Sequence, residues 1–186
     1  MSRLRPIKSL WSRSNLRPND SPFEIMESLR SESITLAVIG CGQRGTVRRI
    51  LSYSVCQSAD MAHKNYATYA LDHPDKCRVV AIAEPRTKTR DIFTRNHKLD
   101  RTLVFNTWQE LLKASAETIQ TIGKRLADAV IVAVHDHMHR EVVLAFAAQG
   151  YHILCEKPMA TSPKDCLDME KAVKNAGIIF GMGHGQ

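Results

Sequence analysis

An apolar stretch that runs directly into a Gly-x-Gly-x-x-Gly turn constrains the fold of this chain more than any other feature. The run 34–39 has the β-branched content of a buried strand, and Gly40, Gly42 and Gly45 follow it with helix-forming residues behind them. In such a strand–turn–helix unit, the first glycine permits a tight turn and the second lets a pyrophosphate approach the backbone. The third lets the helix pack closely against the strand. The stretch therefore predicts a dinucleotide site, with phosphates at the helix N-terminus.

The segments after this turn alternate between apolar strands and helices. Strands are predicted at 35–39, 78–83, 103–105, 129–134, 151–155 and 177–182. Strands separated by helices form βαβ units, and the fully apolar strand 129–134 indicates burial on both faces, as in a parallel sheet. The sequence predicts the α/β class: a three-layer αβα, doubly wound parallel sheet with six strands in the order 3-2-1-4-5-6, the Rossmann fold. Residues 32–186 are assigned to this domain.

Residues 1–31 form a basic arm that we expect to be disordered. Much of the net charge of +7 lies there, because Arg3, Arg5, Lys8, Arg13 and Arg17 precede the first acid, Asp20. A basic tail alone is a weak nucleic-acid footprint, and no nucleic-acid partner is predicted. The scattered cysteines favour a cytoplasmic protein, and the Arg- and Ser-rich arm leaves a mitochondrial transit peptide as the alternative. No apolar run reaches the ~20 residues that a membrane span needs, so no membrane partner is predicted.

An acid stands at the tip of the second predicted strand. A carboxylate at Glu84 would accept hydrogen bonds from the adenosine ribose hydroxyls, which favours NAD as cofactor. The spacing 84 − 40 = 44 exceeds the usual ~20 residues, and an insertion at 59–75 would explain the excess. Arg86 would instead pair with a 2′-phosphate, so NADP stays open. The alternative is that Glu84 has no role in binding and is simply a solvated acid at a strand end.

Three alternating histidines follow the fourth predicted strand: His135, His137 and His139. In an extended segment they would share one side and could face a metal ion, which gives the hypothesis of a metal-dependent hydrolase. The sequence offers few further ligands downstream, so no metal site is predicted. The C-terminal end of strand four borders the crevice where the strand order reverses, and ligands bind there. His135 and His139 are therefore predicted beside the dinucleotide.

Glu156, Lys157 and Pro158 follow the fifth predicted strand, at the same edge of the sheet. A lysine there can donate a hydrogen bond to a substrate hydroxyl or to the nicotinamide ribose, and it can take part in proton transfer. Lys157 is the candidate catalytic residue. A solvated turn is an equal alternative on physical grounds alone.

These motifs together resemble the glucose–fructose oxidoreductase / inositol dehydrogenase / MocA (Gfo/Idh/MocA) family. The resemblance rests on segments 37–45, 83–86 and 128–133, on His139, and on 150–160 with its Glu-Lys-Pro, and it extends from Ile34 to about His184. One departure is Val134-His135-Asp136, where the family often has Thr-Pro-Asn. From motif and resemblance together, the predicted cofactor contacts are Gly40, Gly42, Gln43, Arg44, Gly45, Glu84, Arg86, His135, His139, Glu156 and Lys157.

The resemblance implies the cofactor-binding half of an NAD(P)-dependent oxidoreductase. Such an enzyme transfers hydride to or from a hydroxyl-bearing carbon of a sugar, a cyclitol or a related polyol. Family members continue into a C-terminal α/β domain that carries substrate contacts and the oligomer interface. The expectation is that this domain is absent here, that the chain alone is incomplete for catalysis, and that it is a monomer or a weak oligomer. A truncated, non-catalytic dinucleotide-binding module is the alternative.

Overall fold

The central sheet consists of β1 (Ile34–Ile39), β2 (Cys77–Ala83), β3 (Val104–Phe105), β4 (Ala129–Val132), β5 (His152–Glu156) and β6 (Phe180–Gly183). The computed structural model describes residues 33–41 and 66–183. Every neighbouring pair of strands is parallel, and the order is β3-β2-β1-β4-β5-β6. This confirms the predicted class and strand order. The C-terminal ends of β1 and β4 meet at the centre of the sheet, where the order reverses.

Helices cover both faces of the sheet. They are α1 (Thr68–Asp72), α2 (Thr87–His97), α3 (Trp108–Ile122), α4 (His139–Ala148) and α5 (Pro163–Ala176), with 3₁₀ turns at Arg101–Leu103 and Asp136–Met138. Side chains alternate between two buried clusters, as the two-residue period of a strand requires. Val38 and Ile131 belong to one cluster, whereas Ile39, Val130 and Val132 belong to the other. Both clusters together account for the apolar character of β1 and β4.

Two helices begin with a side-chain N-cap. The Thr107 hydroxyl accepts from the Glu110 N–H at 3.2 Å, and the Glu110 carboxylate accepts from the Asn106 N–H at 2.8 Å. The Ser162 hydroxyl caps α5 by accepting from the Asp165 N–H at 3.1 Å, with Pro163 at the first helical position. These local signals fix where α3 and α5 begin, and hence how the loops before them leave the sheet.

Some predicted strand boundaries are wrong by a few residues. The fourth strand ends at Val132 rather than at residue 134, because after the Ala133 N–H donates to the Ile39 carbonyl at 2.8 Å the chain turns into the Asp136–Met138 helical turn. The sixth begins at Phe180 rather than at residue 177, because Gly177 ends α5 in the left-handed region with φ +63°.

The arm predicted at 1–31 and the helix expected after Gly45 lie outside the described residues. Among the helices that are described, none combines the length and the hydropathy that a membrane crossing would require.

Candidate functional site

The turn after β1 is packed against the end of β4. Gly40 has φ +80°, and its N–H donates to the Ala83 carbonyl at 2.8 Å. A Cβ atom at this position would lie 2.6 Å from the Ala133 carbonyl oxygen. Positive φ and close approach each favour glycine, so both the backbone conformation and the available space require it here. Gly40 therefore lies where the C-terminal ends of β1 and β4 meet.

The Glu84 side chain, directly after β2, is buried, and its carboxylate accepts four hydrogen bonds. Glu84 is only 1% exposed, so the alternative of a solvated strand-end acid is wrong. Its Oε2 accepts from the Cys41 N–H at 2.7 Å, which ties β2 to the glycine turn. Arg86 forms a bidentate pair with the same carboxylate, with Nε to Oε1 at 2.7 Å and Nη2 to Oε2 at 2.9 Å. The Arg86 N–H also donates to Oε1, at 2.9 Å.

The electrostatics of this corner keep Glu84 ionised. Burial raises the pKa of its carboxyl, but hydrogen bonds from Arg86 and Cys41, together with the guanidinium charge, outweigh burial and bring the pKa below its usual range. The same pairing raises the pKa of Arg86. A neighbouring arginine, Arg90, donates through Nη1 to the Glu84 carbonyl oxygen at 2.6 Å. We refer to Cys41, Glu84 and Arg86 as the β2 corner.

The cysteines near these strand ends are not nucleophiles at neutral pH. Burial, reinforced by the negative charge of Glu84, raises the pKa of the Cys41 thiol far above its ordinary value. Burial and the charge of Glu156 raise the pKa of Cys155 to about 12. Because the thiolate is the reactive form, both side chains act as small apolar groups.

The histidines after β4 do not converge on a metal ion. The extended segment assumed from the sequence is wrong, because Asp136–Met138 is a 3₁₀ turn and α4 begins at His139. His135 and His137 stack at 5.9 Å between ring centroids on the exposed side of this turn, whereas His139 is fully buried. Within residues 33–41 and 66–183, no three metal-ligating side chains are grouped together.

His139 instead joins two loops at the C-terminal edge of the sheet. Its Nδ1 lies 2.8 Å from the Pro158 carbonyl oxygen, and its Nε2 lies 3.2 Å from the Val134 carbonyl oxygen. A neutral imidazole carries one N–H, so the tautomer decides which carbonyl accepts the hydrogen bond. The residues after β4 and those after β5 are therefore linked through one buried ring.

The turn after β5 is exposed and sparsely bonded. The Lys157 side chain is exposed, and the Lys157–Pro158 peptide bond is cis. The Lys157 N–H donates to Glu156 Oε2 at 3.2 Å, while Glu156 Oε1 is buried with no hydrogen-bond partner among the described residues. We refer to Glu156, Lys157 and Pro158 as the β5 turn.

Sequence reasoning missed one side chain beside the β5 turn. Burial and the charge of Glu156 raise the pKa of the Tyr66 hydroxyl. A Cβ atom at Gly183 would collide with the Tyr66 hydroxyl and lie 3.4 Å from Glu156 Oε1. The residues around Tyr66 carry no motif, and no sequence signal could have placed it there.

The sequence-predicted site residues thus fall into two groups at one edge of the sheet. Glu84 and Arg86 form the β2 corner with Gly40 beside it, while Glu156 and Lys157 belong to the β5 turn, which His139 contacts. His135 lies exposed on the loop between the two groups. Gly42, Gln43, Arg44 and Gly45 lie outside the described residues. The cofactor contacts assigned to all of them stay predictions.

Comparison with known proteins identifies the family to which this fold belongs. A family model described as "Oxidoreductase family, NAD-binding Rossmann fold" (GFO_IDH_MocA) matches residues 34–184. The chain is 46% identical over 63 residues to 2,7-anhydro-N-acetylneuraminate hydratase of Escherichia coli, covering 34% of this chain and 17% of that protein. It is 33% identical over 85 residues to 1,5-anhydro-D-fructose reductase of Ensifer adhaerens, covering 46% of this chain and 26% of that protein.

A solved structure shares the fold. The WlbA dehydrogenase from Bordetella pertussis, crystallised with NADH and UDP-GlcNAcA, superimposes with a TM-score of 0.60 at 22% identity, covering 82% of this chain and 35% of that one. The chain therefore spans about a third of that structure, and its matched segments span about a quarter or less of the two relatives.

Proposed function

The chain belongs to the Gfo/Idh/MocA oxidoreductase family with its NAD-binding Rossmann fold, and from that premise we propose that it is the cofactor-binding half of a dehydrogenase or reductase. The reaction is hydride transfer to or from a hydroxyl-bearing carbon of a sugar, a cyclitol or a related polyol. The names of two relatives, a hydratase and a reductase of anhydro sugars, support a sugar-like substrate.

The turn at Gly40 is the observation that carries this proposal. A Cβ atom there would fill the space beside the Ala133 carbonyl, at the point where the strand order reverses. Ligands of doubly wound sheets bind in the crevice at this point, and a glycine at the first position lets the chain turn into it. The residues present therefore fit a dinucleotide, whose nicotinamide supplies the hydride chemistry when bound.

The chain's own residues divide the remaining work between the two groups. The β2 corner binds the adenosine half, because its charged groups stand at the tip of the strand next to the glycine turn. His139 orients the β5 turn through the Pro158 carbonyl. Lys157 is exposed at that turn, where its Nζ can donate to a substrate hydroxyl and hold or release a proton as the carbon changes oxidation state.

Cofactor titration of the 186-residue chain, followed by a dehydrogenase assay, tests the proposal. We expect calorimetric binding of a nicotinamide dinucleotide and little or no turnover of polyols by the chain alone. Fast oxidation of a polyol would contradict the assignment as a half-site, and the absence of binding of both NAD(H) and NADP(H) would contradict the proposed function altogether.

A pair of variants locates the binding. Gly42→Val places a side chain where the pyrophosphate would approach, and we expect it to reduce dinucleotide affinity by about 100-fold or more. The matched control is Ala148→Val, which enlarges an exposed side chain at the C-terminal end of α4. We expect this variant to bind the dinucleotide with unchanged affinity. Equal affinities of the two variants would place the dinucleotide elsewhere.

A further inference from the structure

The loop that joins β5 to α5, residues 157–162, is held near both of its ends. Near its start, the Pro158 carbonyl oxygen lies 2.8 Å from Nδ1 of the buried His139. At its end, the Ser162 hydroxyl accepts from the Asp165 N–H at 3.1 Å and donates to Asp165 Oδ2 at 2.7 Å. The position of the loop therefore depends on where His139 and the first turn of α5 lie.

Arg140 fixes the start of α5 against α4. Its Nε and Nη2 donate to Asp168 Oδ2 at 3.0 Å and 2.8 Å, and Nε also lies 3.2 Å from Asp165 Oδ1. Asp165 thus contacts Arg140 through one carboxylate oxygen and the cap residue Ser162 through the other. Because a guanidinium is planar and its donors have fixed directions, these contacts favour one orientation of α5 relative to α4.

The ion pairs of Arg140 belong to a network. Lys164 also donates to Asp168 Oδ2, at 2.9 Å. Hydrogen bonds from Lys164 and Arg140 lower the pKa of the Asp168 carboxyl, which keeps it ionised at neutral pH. The Arg140 side chain is 39% exposed and that of Asp168 is 31% exposed. Solvent weakens such pairs individually, but charges joined in a network stabilise a structure more than isolated surface pairs do.

His139 and Arg140 are consecutive residues at the start of α4. Successive side chains of an α-helix point about 100° apart. The His139 ring therefore lies in the core while Arg140 reaches α5, and one helical turn holds both ends of the loop. Between the two points of attachment, Met159 and Ala160 pack against the core. The Lys157 side chain stays exposed on this doubly held loop.

We propose that Arg140 is a positioning residue for Lys157, acting through the first turn of α5 and the loop 157–162. The inference rests on the proposed function, in which Lys157 donates to a substrate hydroxyl. A lysine ammonium stands on a long, flexible stem, so it reaches a reacting group reproducibly only when the backbone that carries it is fixed. His139 fixes that backbone at Pro158, and Arg140 keeps the other end of the loop from shifting.

Acetylation of Lys157 in wild type and Arg140→Met, quantified by peptide mass spectrometry with and without saturating NAD⁺ or NADP⁺, tests the inference. A bound dinucleotide shields a lysine that lies against it. We expect shielding of about 10-fold in the wild type and below about 3-fold in Arg140→Met, the effect of losing a charge-assisted hydrogen bond. Affinity for ADP-ribose, which lacks the nicotinamide, should change by less than about 3-fold. This split separates positioning of the lysine from general damage to the fold.

Two further variants make the test specific. Arg95→Met is the matched control, because it removes an exposed arginine from the last turn of α2 and should keep the wild-type shielding. Asp168→Asn weakens the acceptor of two Arg140 hydrogen bonds and should reduce shielding as Arg140→Met does. It also keeps the inference testable if Arg140→Met fails to fold.

The outcomes distinguish this inference from the proposed function. Unchanged shielding in Arg140→Met, or an equal reduction in Arg95→Met, overturns the role of Arg140 and leaves the proposed function intact. A bound dinucleotide that leaves Lys157 unshielded in the wild type overturns the inference together with the role proposed for the lysine. Absence of dinucleotide binding by the wild-type chain overturns the proposed function as a whole.

Discussion

The β2 corner and the β5 turn lie at the same edge of one sheet, yet they are built in opposite ways. At the β2 corner a buried carboxylate is bonded to a backbone N–H and to a bidentate arginine, so each charge has a partner. At the β5 turn the lysine is exposed, one carboxylate oxygen lacks a described partner, and His139 provides the main tie to the rest of the fold.

This difference matches the roles proposed for the two regions: cofactor binding at the β2 corner and proton transfer at the β5 turn. A group that recognises one part of a cofactor benefits from being fixed before the ligand arrives, because less ordering remains to be done on binding. A group that exchanges a proton with substrate must reach a reacting atom, and a lysine pairing fully within the protein would not. The β2 corner is preorganised, whereas the β5 turn offers an exposed lysine on a loop that His139 ties to the residues after β4.

The largest expected effect comes from disturbing the turn at Gly40, which contacts Ala83 beside the β2 corner and Ala133 after β4. We expect Gly40→Ala to lower the free energy of unfolding by about 4 kcal/mol, through the backbone strain of positive φ and through overlap with the Ala133 carbonyl. Gly123→Ala is the control, because Gly123 has φ +71° with nothing within 4 Å of the added Cβ atom, so only about 1–2 kcal/mol of strain applies. Denaturant unfolding measures both. Equal losses would mean that the close approach to β4 contributes nothing.

The next effect tests the contact by which His139 holds the β5 turn. His139→Ala removes a fully buried ring and both of its contacts with carbonyl oxygens, and we expect it to cost about 3 kcal/mol. Hydrogen exchange should also accelerate at the amides of residues 157 and 159–160. His137→Ala, at an exposed position on the preceding turn, should change stability by less than about 0.5 kcal/mol. Unchanged exchange at the β5 turn in His139→Ala would show that other contacts hold it.

A smaller, pH-dependent effect probes the β2 corner. Glu84→Gln removes the charge but keeps the shape, and we expect a loss of about 2 kcal/mol at pH 7 because its partner Arg86 is partly solvated. The folded-state pKa of Glu84 lies below the unfolded value of about 4.3. The stabilisation is therefore complete above the unfolded pKa and is lost as the pH falls through the folded pKa.

Unfolding curves of wild type and Glu84→Gln measured between pH 3 and pH 8 check this window. We expect a constant difference in the free energy of unfolding above about pH 5 and a shrinking difference below about pH 4.3. A difference that grows on acidification would mean that the carboxylate is destabilised by its surroundings.

The smallest effect is expected at Lys157, the exposed side chain of the β5 turn. Lys157→Ala should change the free energy of unfolding by less than about 0.5 kcal/mol, because the side chain is exposed and no folded-state contact of its amine is described. The same experiments as for Glu84→Gln measure it. A loss above about 1 kcal/mol would show that the lysine is a structural residue, and the contrast between the β2 corner and the β5 turn would fail.

The fold was predictable because its signals are local and repeated. Apolar β-branched runs at β1 and β4, the cap at Ser162 and the glycines that end helices each act within a few residues. The strand order then follows from chain connectivity. The predicted ends of β4 and β6 were wrong because apolar residues such as Val134 and Ile178 pack onto the core from loops.

The site was predictable in its location but only partly in its contacts. Residue spacing places Glu84 at a strand tip, but it cannot show that the Cys41 N–H, 43 positions away, already occupies its carboxylate. The alternation of the histidines suggested one shared side, and the helical turn overrode it by burying His139. Contacts between distant residues depend on tertiary packing, which a single sequence does not encode in any local pattern.

The hydrogen bonds between Glu84 and Arg86 also limit which substitutions the β2 corner can accept during evolution. Replacing Arg86 alone leaves a buried charge at Glu84 unpaired, and replacing Glu84 alone releases both the arginine and the Cys41 N–H. Each single substitution is therefore destabilising before any new ligand contact exists. A lineage that alters this corner must exchange the acid and the arginine together, so the pair should be inherited, and engineered, as one unit.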